Sequence, residues 1–335
     1  MLEHSAAALD SISAAIAPEL TQLNQRIMLS LSSSNDMMNG IIQEYLRRKG
    51  KQIRPITVIL ASRLFRPQTD FRVISTAAAV EMLHNASLIH DDVVDESKMR
   101  RNEPTVNGIW DNHIAVLVGD FFTSTSLQLA NETGDIRIIG SLASLGRMLA
   151  MGELDQIYNA RFRRLSEEAY MQTIERKTAS LFVACAEMGA YAAGCDASDP
   201  RLAALVEFAR LLGLCFQITD DIFDYSANSD SEIGKPTGND LREGKVTLPL
   251  LSVLLRDDLE GVGEMRALVS RGDLTADEIT RLIDFAVTNG GIDYARATNE
   301  RLAARAKEVL TGAFADSPAR EMLLSLLTHI LSRRK

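Results

Sequence analysis

The amino-acid sequence predicts an all-α protein, a single large bundle of long helices. Three observations lead there. From Ile74 to Asp92 and from Leu202 to Asp224 the chain is apolar almost all round, as in helices buried inside a bundle. The run from Ala203 to Leu212 is too long for an ordinary strand. Alternating apolar and polar residues bounded by turn pairs, the pattern of half-buried strands, are nearly absent.

Breaks in the helical pattern fall at Arg66-Pro67, at Asp199-Pro200 and through Ser226 to Gly244. Thr275 with Glu278 fits a capping box that opens a C-terminal helix. With 335 residues, 46% of them hydrophobic, the chain has ample material for a large core. It holds only 8 Pro and 20 Gly and no Pro/Gly/Ser-rich linker, so one domain over residues 1–335 is expected. A net charge of −9 excludes a general nucleic-acid binder, which needs a basic face. Cys185, Cys195 and Cys215 sit in apolar surroundings without CxxC spacing, the pattern of buried thiols in a reducing compartment. The first twenty residues carry acids and lack the basic start of a signal peptide. No apolar run approaches the ~20 residues of a membrane span. The expectation is a cytoplasmic protein that does not span a membrane.

The most informative feature occurs twice. Asp91-Asp92-Val93-Val94-Asp95 ends one apolar helix and Asp220-Asp221-Ile222-Phe223-Asp224 ends another. Both read DDxxD. Residues four apart share a helix face, so Asp91 lies beside Asp95 and Asp220 beside Asp224. Carboxylates crowded in one turn repel one another and resist burial unless cations meet them. All-oxygen ligands suit Mg²⁺, which takes one or two carboxylates together with water and substrate phosphate oxygens. A single such cluster is equally a solvated acidic helix end; two copies, each following a strongly apolar helix, argue otherwise. A calcium loop over Asp224–Lys235 fails, because Ser229 stands where Gly is required and Lys235 where Glu is.

Metal-binding clusters of this kind call for an anionic partner, and cations answer them at Lys51 and Arg54, at Arg100 and Arg101, at Lys177, and at Lys235 with Lys245. A nucleotide loop is excluded. Gly238 to Gly244 has five intervening residues, and Val246 follows Lys245 where Ser or Thr is needed.

In combination and order these motifs resemble the trans-polyprenyl diphosphate synthases of the isoprenyl diphosphate synthase family. The likeness runs from about Gly50 to Leu250 and rests on Gly50-Lys51-x-x-Arg54-Pro55, His84 through Asp95 with Arg100-Arg101, Lys177-Thr178, Gln217-x-x-Asp220-Asp221-x-x-Asp224, and Gly234-Lys235 through Asp240-Leu241-x-x-Gly244-Lys245. The resemblance implies helices around a central cavity, a homodimer, and three Mg²⁺ ions with bound diphosphate. Asp91, Asp95 and Asp220, supported by Asp92, Asp221 and Asp224, would hold the ions on an allylic diphosphate. Arg100, Lys177 and Lys235 would clamp that diphosphate. Lys51, Arg54, His84 and Arg101 would hold isopentenyl diphosphate. Thr178 and Gln217 would face the allylic cation, and Lys245 would help close the site. Gln217 has a plainer alternative as a buried helix-capping amide. Two departures from the family pattern, Lys49-Gly50-Lys51-Gln52 and Asn102 after the Arg pair, leave the charged groups in place.

Product length follows from helix geometry. Ser87 and Ala86, four and five residues before Asp91, lie one turn below the metal face, and both are small. Short-chain relatives carry bulky aromatics there. The floor must lie deeper, at Leu142, Leu145 and Leu149 if that stripe is more than plain core, and a product of roughly C30 to C50 is expected. Such chains serve as quinone side chains. The competing readings are a class I terpene cyclase, a non-catalytic subunit of a heteromeric synthase, and a metal-buffering acidic helical protein. The second diphosphate set and the complete carboxylates and cations argue against all three.

Overall fold

The structure is a computed structural model that describes residues 2–47, 50–100, 103–225 and 238–333, with the backbone alone for 2–7. Arg101 and Lys235, both expected at the site, lie outside the described residues. The all-α expectation holds. Helices carry nearly all of the described chain, and the one ladder is a two-residue pairing of Met99–Arg100 with Glu103–Pro104. The chain divides into two compact units, one of Met1–Arg147, Leu181–Ala209 and Val309–Leu326, the other of Met148–Ser180, Arg210–Glu308 and Leu327–Lys335.

The first unit is organised on the helix Phe71–Val94. The preceding helix, Ile53–Arg63, ends before Pro67, and the Asp70 carboxylate starts the next by accepting from the backbone N–H groups of Arg72 and Val73 at 3.0 and 3.3 Å. Ala77, Ala78 and Ala79 are fully buried. Their small side chains let the helix Asn112–Asn131 pack closely alongside, and Ser126 Oγ donates to the Ala79 carbonyl at 2.6 Å. Against the same helix packs Ile53–Arg63, buried from Ile53 to Ser62 except at Arg54. Gly189 of the helix Ser180–Ala192 rides on the Val58 carbonyl so closely that any Cβ would collide with it. Phe122 is wholly buried and meets Tyr45 edge-on, with centroids 5.4 Å apart.

In the second unit Leu214, Ile218 and Ile222, one face of the helix Pro200–Phe223, pack with Tyr170, Ile174, Leu248 and Leu251. Pro200 stands at the first helical position, where a missing N–H costs nothing. The capping box at Thr275 is present in both directions: Thr275 Oγ1 accepts from the Glu278 N–H and the Glu278 carboxylate accepts from the Thr275 N–H. The expected break from Ser226 to Gly244 contains one described helical turn, Asn239–Arg242.

Two features depart from the sequence reading. Pro200–Phe223 is long and apolar enough to cross a membrane by length and composition, yet 67% of its most apolar window is buried within the fold. It is a core helix. The second feature is a π-helical turn, Glu175–Ala179, inserted between Glu167–Ile174 and Ser180–Ala192. No periodicity in the sequence announces it. The three cysteines are free and buried as expected, and burial pushes the Cys215 thiol up to about 12.

Candidate active site

The first aspartate cluster closes the helix Phe71–Val94. Glu96 follows at φ 51°, a left-handed turn that ends the helix one residue after Asp95. Asn107, itself buried, donates from Nδ2 to the Asp92 carbonyl at 3.1 Å and ties that end down. The three carboxylates are not equivalent. Asp92 is buried, and its Oδ1 accepts from Nε of Arg100 at 2.8 Å and forms an ion pair with Nη2 at the same distance. Asp91 is half-buried and Asp95 exposed. His90 is set from behind by the helix Asn112–Asn131. Its ring lies against Gly119, where a Cβ would collide, with Nε2 3.3 Å from the Val116 carbonyl oxygen and 3.4 Å from Asp120 Oδ1.

Other expected residues of this unit are placed around the same helices. Lys51 is exposed just before Ile53–Arg63, beyond Gln52, which takes a left-handed φ of 50°. Arg54 is half-buried with its guanidinium 5.4 Å from the Phe182 ring centroid. His84 is half-buried, and its carbonyl accepts from Ser87 Oγ at 2.8 Å. Ala86 keeps only 1% of its surface, whereas Ser87 is half-buried. Of the two small residues, Ala86 is closed in and Ser87 stays partly accessible. Leu142 and Leu145 are buried and Leu149 half-buried.

The second cluster ends the helix Pro200–Phe223 and shows the same division. Asp221 is buried, accepting from Tyr170 Oη at 2.5 Å and from Gln217 Nε2 at 2.7 Å. Burial, together with the Asp220 and Asp224 carboxylates, raises its carboxyl to about 7 against those two hydrogen bonds. Asp224 accepts from the backbone N–H groups of Asn239 and Asp240, both at 3.0 Å, and so anchors the turn Asn239–Arg242. Asp240 is itself pushed well up, by burial and then by Asp221 and Asp224. Half-buried Asp220 forms an ion pair with Arg333, whose guanidinium stacks 4.0 Å from the Phe216 centroid.

Lys177 and Thr178 sit in the π-turn. Thr178 Oγ1 donates to Gln217 Oε1 at 2.7 Å, so the Gln217 amide bridges Thr178 to Asp221. It caps no helix. Lys177 is in ion-pair contact with Glu153, and its Nζ donates to Gln156 Oε1 at 3.2 Å. Lys245 pairs with Glu243 at 2.5 Å. Sequence reasoning missed Tyr170, Arg333, Glu153 and Gln156. Each lies far along the chain from the motif it serves, and only Asp240, inside a quoted motif, was within reach of it.

Among the described residues no three ligating side chains form a ready-made metal cluster. The donors are nevertheless those of Mg²⁺, an ion that keeps open positions for phosphate oxygens instead of entering an all-protein cage. Burial raises the Asp221 carboxyl first, and the Asp220 and Asp224 carboxylates beside it add negative charge that a cation would relieve. The residues fit that ion.

Residues 35–285 match the model of the polyprenyl synthetase family. The chain is 33% identical to the octaprenyl diphosphate synthase of Escherichia coli over 326 residues, 97% of this chain and 99% of that one. The crystal structure of a decaprenyl diphosphate synthase from Rhodobacter capsulatus superposes with a TM-score of 0.89 at 33% identity, covering 98% and 99% of the two chains. That of a polyprenyl synthase from Caulobacter crescentus, complexed with calcium and isoprenyl diphosphate, gives 0.88 at 32% identity over 98% of each. The chain belongs to the polyprenyl synthetase family. Its fold is the all-α isoprenoid synthase fold, and its class is that of the trans-prenyltransferases.

The raised carboxyl at Asp221 has a thermodynamic consequence. The unfolded chain gives up this proton near 3.8, while the folded chain holds it to about 7. Between those values the unfolded state binds fewer protons, so metal-free stability falls as pH rises. Asp221→Asn should flatten that fall, by on the order of 2 kcal/mol between pH 5 and pH 8. Urea denaturation in EDTA at the two pH values measures it; identical slopes in both proteins would acquit Asp221.

Proposed function

We propose that this chain condenses isopentenyl diphosphate with an allylic diphosphate such as farnesyl diphosphate, head to tail and repeatedly, to give a long all-trans polyprenyl diphosphate of the kind used for quinone side chains. The observation that carries the reading is the recurrence, in a polyprenyl synthetase chain, of one arrangement at two helix ends: a buried middle aspartate fixed by a donor, flanked by aspartates nearer solvent. Both units serve one catalytic domain in this reading.

Asp91, Asp95 and Asp220, with Asp92, Asp221 and Asp224 in support, would hold three Mg²⁺ ions. The Caulobacter relative is described with calcium and isoprenyl diphosphate, which supports a divalent cation beside a diphosphate. When bound, the metal neutralises charge that builds on the leaving diphosphate as its C–O bond breaks. Arg100, Lys177 and Lys235 donate to that diphosphate, a preorganised electrostatic contribution. Lys51, Arg54, His84 and Arg101 hold isopentenyl diphosphate, so that its double bond attacks the allylic carbon. Thr178 and Gln217 turn their oxygens to that carbon, and the departing diphosphate takes the proton lost after attack. Lys245 helps to close the site. Apolar walls exclude the water that would trap the cation.

Small side chains at Ala86 and Ser87 leave room for a long product, with Ser87 the effective position. A homodimer agrees with Val116, Leu117 and Leu127, large apolar residues left exposed along one helix.

Purified protein given Mg²⁺, farnesyl diphosphate and labelled isopentenyl diphosphate should make products at least two units longer than geranylgeranyl, and EDTA should abolish them. Products no longer than geranylgeranyl would keep the enzyme class and sink the length assignment. No elongation by folded protein would favour a non-catalytic subunit of a heteromeric synthase. Ser87→Phe should shorten the product series by several units, and Ala86→Phe should do so less cleanly because Ala86 is already enclosed; chromatography of the dephosphorylated products decides. Light scattering should give twice the 36.8 kDa chain mass, and Leu117→Asp should lower it. A monomeric mass for the wild type would remove the dimer.

A further inference from the structure

Lys177 is a clamp residue whose surroundings are built to aim it. It lies in the π-turn Glu175–Ala179, an arrangement that adds a residue to a helical turn and rotates the side chains that follow. The helix Ile136–Arg161 presses against this turn at Gly152. A Cβ on Gly152 would stand 2.6 Å from the Lys177 nitrogen and 2.8 Å from its Cα, so no other residue lets the two segments approach this closely. One residue further on, Glu153 makes its ion pair with Lys177; the carboxylate side chain retains 15% of its surface, and a carboxylate so withdrawn from water requires the ammonium. Three residues beyond, on the same face, Gln156 completes a triangle. Its Oε1 accepts from Lys177 Nζ at 3.2 Å and its Nε2 donates to Glu153 Oε1 at 3.1 Å.

We infer that Glu153 and Gln156 are positioning residues for Lys177, holding its ammonium by an ion pair with the one and a hydrogen bond to the other and leaving N–H groups to offer the allylic diphosphate. The inference rests on the diphosphate-binding role of Lys177 given above. Glu153 supplies the charge that holds the ammonium. Gln156, fixed by its own bond to Glu153, is the neutral second partner and accepts one N–H of the ammonium. Neither residue needs to touch substrate.

A double-mutant cycle tests this with two readouts, steady-state kinetics and calorimetric titration of inorganic pyrophosphate in Mg²⁺. Gln156→Ala changes no charge. It should weaken pyrophosphate binding and lower kcat/KM for the allylic diphosphate by about tenfold, the scale of one hydrogen bond to a charged group. KM for isopentenyl diphosphate should stay within about twofold of wild type. In a Lys177→Ala background the same substitution should change neither readout, and Glu153→Gln, which preserves shape, should show the same loss of effect on kcat/KM. Full additivity of either variant with Lys177→Ala would overturn the positioning role. So would equal losses in the two KM values accompanied by a lowered Tm, the mark of a structural residue. Failure of the inference is distinguishable from failure of the function: a wild-type protein that neither binds pyrophosphate nor elongates a chain refutes the function itself, whereas one that does both and shows additive variants refutes only the positioning.

Discussion

Negative charge concentrated at the ends of apolar helices is the constraint on which the rest of this structure depends. A carboxylate taken from water is costly unless something replaces its hydration. Here each one is answered differently. Arg100 answers Asp92 with a hydrogen bond from Nε and an ion pair, and Arg333 pairs with Asp220. Two backbone N–H groups answer Asp224. Asp221 has two hydrogen bonds, from Tyr170 and Gln217, but its burial and then its acidic neighbours outweigh them, so its carboxyl rises instead.

The scaffold that holds these groups is stiff for reasons of close packing. Helices approach where side chains are smallest. Ala77 to Ala79 admit the helix Asn112–Asn131, Gly119 admits the His90 ring, and Gly152 admits the backbone at Lys177. A methyl group at either glycine would move a motif residue, not merely crowd the core. Packing and chemistry are therefore joined at named positions. Interiors near crystal density transmit such a displacement instead of absorbing it.

Much of this was legible in the sequence. The buried helices, the breaks at Pro67 and Pro200, the capping box at Thr275 and the two aspartate clusters follow from periodicity and local chemistry, which act over a few residues. What was not legible is of two kinds. The π-turn at Glu175–Ala179 has no compositional mark, and the close fit of Gly152 against it joins segments distant along the chain. The partners Tyr170, Glu153 and Arg333 stand tens of residues from the groups they meet, and a lone tyrosine, glutamate or arginine in a helical pattern carries no sign of its partner. Gln217 shows the boundary well. Its place before the second cluster was visible, but its use as a bridge from Thr178 to Asp221 was not.

The DDxxD pattern itself gains a physical reading from the two copies. Successive residues of a helix are turned by about 100° from one another, so the second position of the motif faces a different direction from the first. In both copies that second aspartate is the buried one, held by a donor reached through the fold: Arg100 for Asp92, Tyr170 for Asp221. An apolar residue at that place would satisfy burial but leave the donor without its acceptor. A lone outward pair would satisfy metal binding but leave the helix end unfastened. The doubled aspartate does both: its outer carboxylate lies nearer solvent, and its neighbour is buried and fastens the helix end to the guanidinium or hydroxyl that meets it. The six aspartates are therefore not equivalent.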